Sequence, residues 1–544
     1  IRRQLCCVFA LFFALGFMTQ GGHLYSPDEE VMFRVTESLC NRASLAIAPL
    51  SDGTGGGFAS AKGIDGNEYA QYGIGNSIIA MPLYWLGSVA CHFVSDDSAC
   101  RWLDFKTISY VPFEKNEPGR GHALLKRCFV SQTGIFIFAF TVCAIWVFGF
   151  MIAKKCMRDG SGNSKRFARL GWAAALTYGL ATMAWPHART FFSEPMAALC
   201  ILCAFITILG GDVLNKRRAV VSGIFFTLAL FARLDSIVVL PGLMATGMLL
   251  WVSACVGGDA QLKKLTLAQV IETFRVRGFW TMTASFVAPL IMFVAIQLLM
   301  NVFHFGSPFA SAYADQSEGI HFSTPLVMGL YGLLFSAGKG LFFFSPGLLI
   351  AVLAWPHFCR QWFSAAVGLV FAIIGLVLFH AHWQNWAGGW CWGPRHFFVL
   401  GVLLVPAVVA WLAQADFKRW CLFCVILLIG VFVQLYGSSQ SFIDYYILYY
   451  RTPAELPQAR PLYSNEDTDP KTVVLNRVMP DGTKQPISFA QLTAPIQDSI
   501  YMPQNTQWVG YYQMLRYGYI DNLWMRLLRR YCDNEREVME DKAL

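Results

Sequence analysis

The segment Tyr25-Ser26-Pro27-Asp28-Glu29-Glu30 places three carboxylates directly after the first apolar run of the chain. Carboxylates held beside a low-dielectric phase are costly, and solvation alone would be served as well by Ser, Asn or Gly. The cluster therefore asks for work. The chemistry it offers is general-base catalysis, with Asp28 as the base and Glu29 beside it. Helix capping accounts for the same residue types: Ser26 or Asp28 as cap, with Pro27 and the acids in the first turn. The two roles are compatible. Arg34 and Glu37 follow on the same expected helix.

A second group lies at residues 185–195, where His187, Arg189 and Glu194 crowd a short connector between apolar runs. Glu194 is read as a second acid facing the cavity of Asp28; an interfacial anchor with a capping Glu is the alternative. Residues 305–323 carry Asp315, Glu318 and His321 and have the length of a lid, although plain solvated acids explain them too. Lys339, flanked by Gly338 and Gly340, interrupts an apolar stretch. A cation at membrane depth either meets an anion or snorkels. The P-loop spacing is absent there. Arg395 and His396 stand at the mouth of the next apolar run, and Arg is suited to bidentate phosphate recognition. Trp383, Trp386, Trp390 and Trp392 nearby suit an aromatic belt or a sugar-stacking surface. His380 and His382 lack a carboxylate partner at ligand spacing, so no metal site is read.

These residues need elements to position them, and the composition says which. The chain has 544 residues, 56% hydrophobic and 14% charged, against roughly 25% charged in a soluble domain. The deficit sits in repeated apolar runs of about 16–25 residues, the length that spans a bilayer as a helix. This excludes a β-barrel, whose strands are shorter and alternate. The fold class is an all-α polytopic membrane protein. The net charge of +8 is not a nucleic-acid signature, because the basic residues fall in short connectors, as in cytoplasmic loops.

Residues 5–20 lack a small-x-small cleavage site and are read as a retained first span. Residues 21–127 form the first outward loop. Within it, 77–94 is apolar, but a span there would put Lys154, Lys155, Arg158, Lys165, Arg166 and Arg169 outside, against the positive-inside rule. It is read as a juxtamembrane helix. Further spans fall at 129–153, 170–185, 195–214, 219–232, 236–255, 279–303, a Gly-broken pair at 326–337 and 341–355, then 363–380, 397–415 and 421–436, about eleven in all. Every basic connector then lands inside.

The division expected is a transmembrane domain at 1–440 and a small extracytoplasmic α+β domain at 441–544. In the latter, 473–479 and 485–489 read as a hairpin around Asp481-Gly482, and 508–532 as an amphipathic helix. Sixteen cysteines are scattered. Cys421 and Cys424 read as buried packing, while Cys40, Cys91, Cys100, Cys391 and Cys532 face outward, where there is room for one or two disulfides among them, with no pairing set by the sequence.

The order of these features resembles the GT-C superfamily of integral-membrane glycosyltransferases: an Asp-Glu segment after the first span, a long first outward loop, and a short second loop ending Phe192-Ser193-Glu194-Pro195. Closest is the phospholipid-carrier-dependent branch, with the protein O-mannosyltransferases and lipid A aminoarabinose transferases. Tyr69-Ala70-Gln71-Tyr72-Gly73 and Pro82-Leu83-Tyr84-Trp85 are similar to segments of that family, with Met81 where a Lys often stands. The resemblance covers about residues 1–440.

It implies a sugar donor on a polyprenyl phosphate and a hydroxyl acceptor on a lipid, glycan or protein, at an extracytoplasmic site of a bacterial inner membrane. Asp28 would be the base, with Glu29 or Glu194 assisting. Lys339, Arg395, Arg189 and His396 would hold the donor phosphate. Some members use a divalent cation such as Mg or Mn and others none. Two rival readings remain: a transporter, which would place charges within its spans near midplane, and a non-catalytic envelope subunit, which would tolerate loss of Asp28 and Glu194.

Overall fold

The computed structural model describes residues 1–50, 58–104, 118–157, 164–211, 214–262, 264, 266–313, 322–389, 391–443, 445, 476–478, 484–486, 506–516 and 520–541. Helix α1 (Arg2–Thr19) leads into α2 (Pro27–Arg42), then a short antiparallel sheet of β1 (Ala46–Ile47), β2 (Ser60–Lys62) and β3 (Glu68–Ala70) in the order β1-β3-β2. Ala46 pairs with Tyr69, and Ser60 with Ala70. Helices α3 (Gly75–Ala90), α4 (Asp96–Leu103) and α5 (Arg120–Ser131) complete this first region.

The bundle follows: α6 (Thr133–Cys156), α7 (Ser164–Ala181), the single turn α8 (Ala184–His187), α9 (Glu194–Leu209), α10 (Lys216–Ala232), and a 3-10 turn (Leu234–Val239) running into α11 (Leu240–Cys255). Short α12 (Asp259–Leu262) and α13 (Leu267–Phe274) precede the long α14 (Arg277–Phe305). Next come α15 (Leu326–Phe335), α16 (Leu341–Phe344), α17 (Gly347–Gln361), α18 (Phe363–His382), α19 (Phe398–Leu412) and α20 (Phe417–Gly437). Seven helical stretches among the described residues are long and apolar enough to cross a membrane. The chain is an all-α polytopic membrane protein.

Helix α3 shows why an apolar run need not span. It holds 16 residues, about 24 Å of helix against a hydrocarbon core of about 30 Å. Its two faces differ. Asn76, Ser77, Ala80 and Tyr84 are buried against α2 and α5, while Ile78, Ile79, Trp85, Leu86 and Val89 are exposed. The Ser77 hydroxyl donates to Met32 O at 2.9 Å, and Asn76 Nδ2 to Phe191 O at 2.8 Å. This is the pattern of a helix lying at an interface.

Within the bundle, small residues let helices close up. A Cβ on Gly368 of α18 would lie 1.8 Å from Thr246 Oγ1 of α11. The break at 336–340 separates α15 from α16, as its glycines led us to expect. Basic residues meet other helix termini at one end of the bundle. Arg166 Nη2 donates to Ala413 O at 3.1 Å, and Lys155 lies 5.6 Å over the Trp362 ring.

The described C-terminal residues pack on the membrane domain. Helix Gln507–Arg516 stacks Tyr511 on Trp392 at 5.0 Å and Trp508 on Tyr436 at 5.7 Å. Helix Leu523–Asp541 docks on the end of α1, with Trp524 Nε1 donating to Phe17 O at 2.8 Å. The single helix expected at 508–532 is thus two helices. Strands β4 (Asn476–Val478) and β5 (Lys484–Pro486) pair antiparallel; the turn between them lies outside the described residues. All sixteen cysteines are free, so the outward disulfides entertained from the sequence do not form.

Candidate active site

At the end of the bundle opposite Arg166, the termini of α1, α9, α10, α18 and α19 converge with the start of α2. The local sequence explains how α2 offers its acids. Ser26 is the N-cap, its hydroxyl accepting from Glu29 N at 3.3 Å, with Pro27 at the first helical position. Because Ser26 does the capping, Asp28 is left free for other partners. Its Oδ2 accepts from Arg395 Nη1 at 2.8 Å, and the two side chains keep 18% and 14% exposure. The Tyr72 phenol lies near enough to feel the Asp28 charge. Burial first, and then Asp28, push that phenol well above its usual range, so it keeps its proton.

Arg395 reaches this place through Gly388, Gly389 and Gly393, whose φ values of +72°, +66° and +68° let the chain coil tightly before α19. Its guanidinium lies 4.8 Å over the Phe192 ring. Its Nε lies 3.6 Å from Glu194 Oε1, beyond hydrogen-bond reach, and has no hydrogen-bond partner.

Glu194, in the first turn of α9, is buried and accepts from Arg233 Nη1 at 2.5 Å. Arg233 in turn forks onto Asp235, Nη2 at 2.6 Å and Nε at 3.0 Å. His380 Nε2 meets Asp235 at 3.2 Å, and its ring stacks on His396 at 5.0 Å. His396 Nε2 contacts Asn385 O at 3.1 Å, while Nδ1 has no partner. Tyr313 is near enough to feel Arg233, Asp235, Asp28 and Glu194, and burial pushes its phenol up to about 12.

Asp28, Glu194, Arg395 and His396 therefore share one site, and the other candidates lie elsewhere. Glu29 is fully buried; its Oε2 accepts from Tyr25 N at 2.6 Å, and burial raises its carboxyl to about 8. Arg189 is buried against Tyr25 Oη at 2.6 Å, Asp521 and Ser438 O. Lys339 is buried too, its Nζ donating to Gly389 O at 3.1 Å, Cys391 O at 2.9 Å and Gly393 O at 3.1 Å. It thus cradles the glycine turn that delivers Arg395. His380 and His382 do not act as a pair, because His382 Nδ1 turns to Thr324 O at 2.6 Å. Asp315, Glu318, His321 and Trp390 lie outside the described residues.

Among the described residues, no three His, Cys, Asp or Glu side chains come together as a metal-ligand set. Asp28 and Glu194 each face an arginine instead, an arrangement that does not fit a divalent cation. What the site can do is hold charge. Asp28, Glu194 and Asp235 surround two guanidiniums, Arg233 and Arg395. Arg233 and Asp235, two residues apart, pair locally at the end of α10. Their link to Glu194 spans 39 residues, and the only sequence signal for it was two charges at the end of an apolar run. Tyr313 falls within 305–323, the stretch of lid length, but nothing in its own residue type marked it.

No protein-family model matches the chain, and no curated protein matches it. It is similar to solved structures of the oligosaccharyltransferase of Archaeoglobus fulgidus. For the apo form the identity is 12%, the TM-score 0.40, and the coverage 86% of this chain and 60% of that one. The chain therefore spans 60% of that protein's length. It is also similar to ArnT from Cupriavidus metallidurans bound to undecaprenyl phosphate, at 12% identity, TM-score 0.38, and coverage of 96% and 75%. Likeness at this level carries no argument about function.

Proposed function

We propose that the chain is a membrane glycosyltransferase that moves a sugar from a polyprenyl phosphate to a hydroxyl acceptor on a lipid, glycan or protein, with its site on the extracytoplasmic face. The observation that carries the reading is the meeting of Asp28 and Glu194, 166 residues apart in sequence, around Arg395 at a helix-bundle end, with Asp28 and Arg395 still partly exposed. That is a base beside a guanidinium, groups that serve inverting transfer from a phosphate.

In this reading Asp28 takes the hydroxyl proton of the acceptor. The acceptor oxygen bonds to the anomeric carbon as the carbon–oxygen bond to phosphate breaks, and its electron pair passes to the phosphate. Arg395 stabilises that departing charge, with the positive charge of Arg233 behind it. Glu194 holds both guanidiniums in place, with Asp235 and His380 behind Arg233. His396 stacks on His380 beside them. Lys339 and Arg189 serve from further out: Lys339 by fixing the turn before Arg395, Arg189 by fixing Tyr25 beside α2.

The test is transfer by purified protein from a panel of polyprenyl-phosphate sugars to lipid, glycan and peptide hydroxyls, with Asp28→Asn alongside. Transfer that falls by about 10²–10⁴-fold in the variant supports the reading. Folded wild-type protein that transfers from no donor to any of these acceptors removes it. Equal transfer by both proteins keeps the enzyme class and moves the base away from Asp28.

A further inference from the structure

We infer that Arg395 is an exchangeable clamp on Asp28: an arriving phosphate takes the guanidinium, and only then is Asp28 released to act as a base. The inference rests on the polyprenyl-phosphate reading above and adds a resting state to it.

Three observations carry it. First, the carboxylate offered as base already holds a guanidinium N–H at 2.8 Å. A base must present a lone pair to the acceptor, and this ion pair occupies one. Second, Arg395 is incompletely satisfied. Its Nε is buried without a hydrogen bond, 3.6 Å from Glu194, and a buried unpaired donor favours any anion that reaches it. Third, the carboxylates outnumber the guanidiniums. Arg233 is committed to Glu194 and forked onto Asp235, so a phosphate competes with Asp28 for Arg395. The competition is feasible because the Asp28–Arg395 pair rests on one short contact and keeps some exposure. By contrast, Glu30 takes Arg127 through two, at 2.7 and 2.9 Å, and is fully buried.

The clamp predicts a sign that a simple phosphate-binding arginine does not. If Asp28 and the phosphate compete for one guanidinium, removing the Asp28 charge strengthens phosphate binding. Linkage makes that gain depend on Arg395. Binding of undecaprenyl phosphate is measured for wild type, Asp28→Asn, Arg395→Gln and the double variant, each checked for thermal unfolding. Asp28→Asn is expected to bind about tenfold tighter than wild type, within the usual range of such couplings. The gain is expected to vanish on the Arg395→Gln background and to persist in part with Arg395→Lys, which keeps the charge.

A gain of equal size with and without Arg395 overturns the clamp, because plain repulsion between carboxylate and phosphate then suffices. An unchanged or weaker affinity in Asp28→Asn overturns it as well. Failure of the wild type to bind undecaprenyl phosphate at all removes the polyprenyl-phosphate reading, and the clamp with it. Arginine side-chain nitrogen NMR guards against a variant that does not fold. In the wild-type protein alone, the Arg395 resonance must move on adding undecaprenyl phosphate, and a resonance that stays put through saturation overturns the clamp.

Discussion

Two acid–arginine clusters draw on neighbouring stretches of sequence, Tyr25 close to Asp28 and Arg189 close to Glu194, and are built to opposite ends. Around Asp521, every side chain is sealed: Asp521 at 0% exposure, Arg189 at 3%, Arg526 at 8% and His23 at 9%. Both Asp521 oxygens are taken, Oδ1 by His23 at 3.1 Å and by Arg526, Oδ2 by the Tyr25 hydroxyl at 2.7 Å and by Arg189. Around Asp28, Arg395, Arg233 and Asp235 the side chains stay 14–19% exposed, and Asp28 keeps a single short ion-pair contact. A closed cluster ties the C-terminal segment to α1 and α2. An open one can exchange partners. The difference separates a brace from a site among residues whose types are the same.

The sharpest way to break that comparison is to neutralise one acid in each cluster. Asp28→Asn is expected to cut transfer by about 10²–10⁴-fold, equivalent to roughly 3–5 kcal/mol of barrier, with little change in thermal unfolding. The readouts are initial rate and melting temperature of the purified protein. Asp521→Asn is expected to do the reverse. Removing one partner from a buried ion pair costs about 3–5 kcal/mol because the other charge is left uncompensated, here with Arg189 and Arg526 both stranded. Poor yield or a lowered melting temperature is the result to look for. An Asp521→Asn protein as stable as wild type would show that the closed cluster braces nothing.

The two clusters also differ in how far the sequence announced them. Span lengths were legible because apolar runs record helix length directly: 279–303 became Arg277–Phe305 and 421–436 became Phe417–Gly437. The acids after the first span and Arg395 before a later one were legible as well, because charge at a helix end is unusual enough to notice. Partner choice was not. Arg189 and Asp521 are 332 residues apart, and no local pattern says that they meet. A cation at the Lys339 break suits an anion contact or snorkelling; its need for partners is met instead by three backbone carbonyls, which every residue carries alike. Chemistry predicts that a charge will be satisfied, not by whom.

Glu29 tests the boundary between the clusters, since it follows Asp28 directly yet faces inward. Burial raises its carboxyl from 4.5 to about 8, against the pull of the Tyr25 and Phe191 backbone N–H groups. The folded protein therefore holds a proton that the unfolded chain has lost. The stability this contributes is complete below about pH 4.5 and declines as pH rises through about 8. Each pH unit within that window costs up to about 1.4 kcal/mol. Unfolding measured across the window should show this slope in wild type and lack it in Glu29→Gln, which stays neutral throughout. A slope that survives the substitution would assign it to another group.

The smallest effect separates capping from catalysis within one helix turn. Ser26 caps α2 through Glu29 N at 3.3 Å, and Ser→Ala at such a position costs typically about 1 kcal/mol. Asp28 at the second helical position needs the helix start intact, but its own bond to Arg395 and the buried Glu29 also hold the turn. Ser26→Ala should therefore lower unfolding stability by about 1 kcal/mol and leave transfer within about threefold of wild type, a change worth less than one such hydrogen bond. If transfer instead collapses as far as in Asp28→Asn while the protein stays folded, the acids of this turn work through the geometry of the helix start. Capping and catalysis would then be one function rather than two that share a segment.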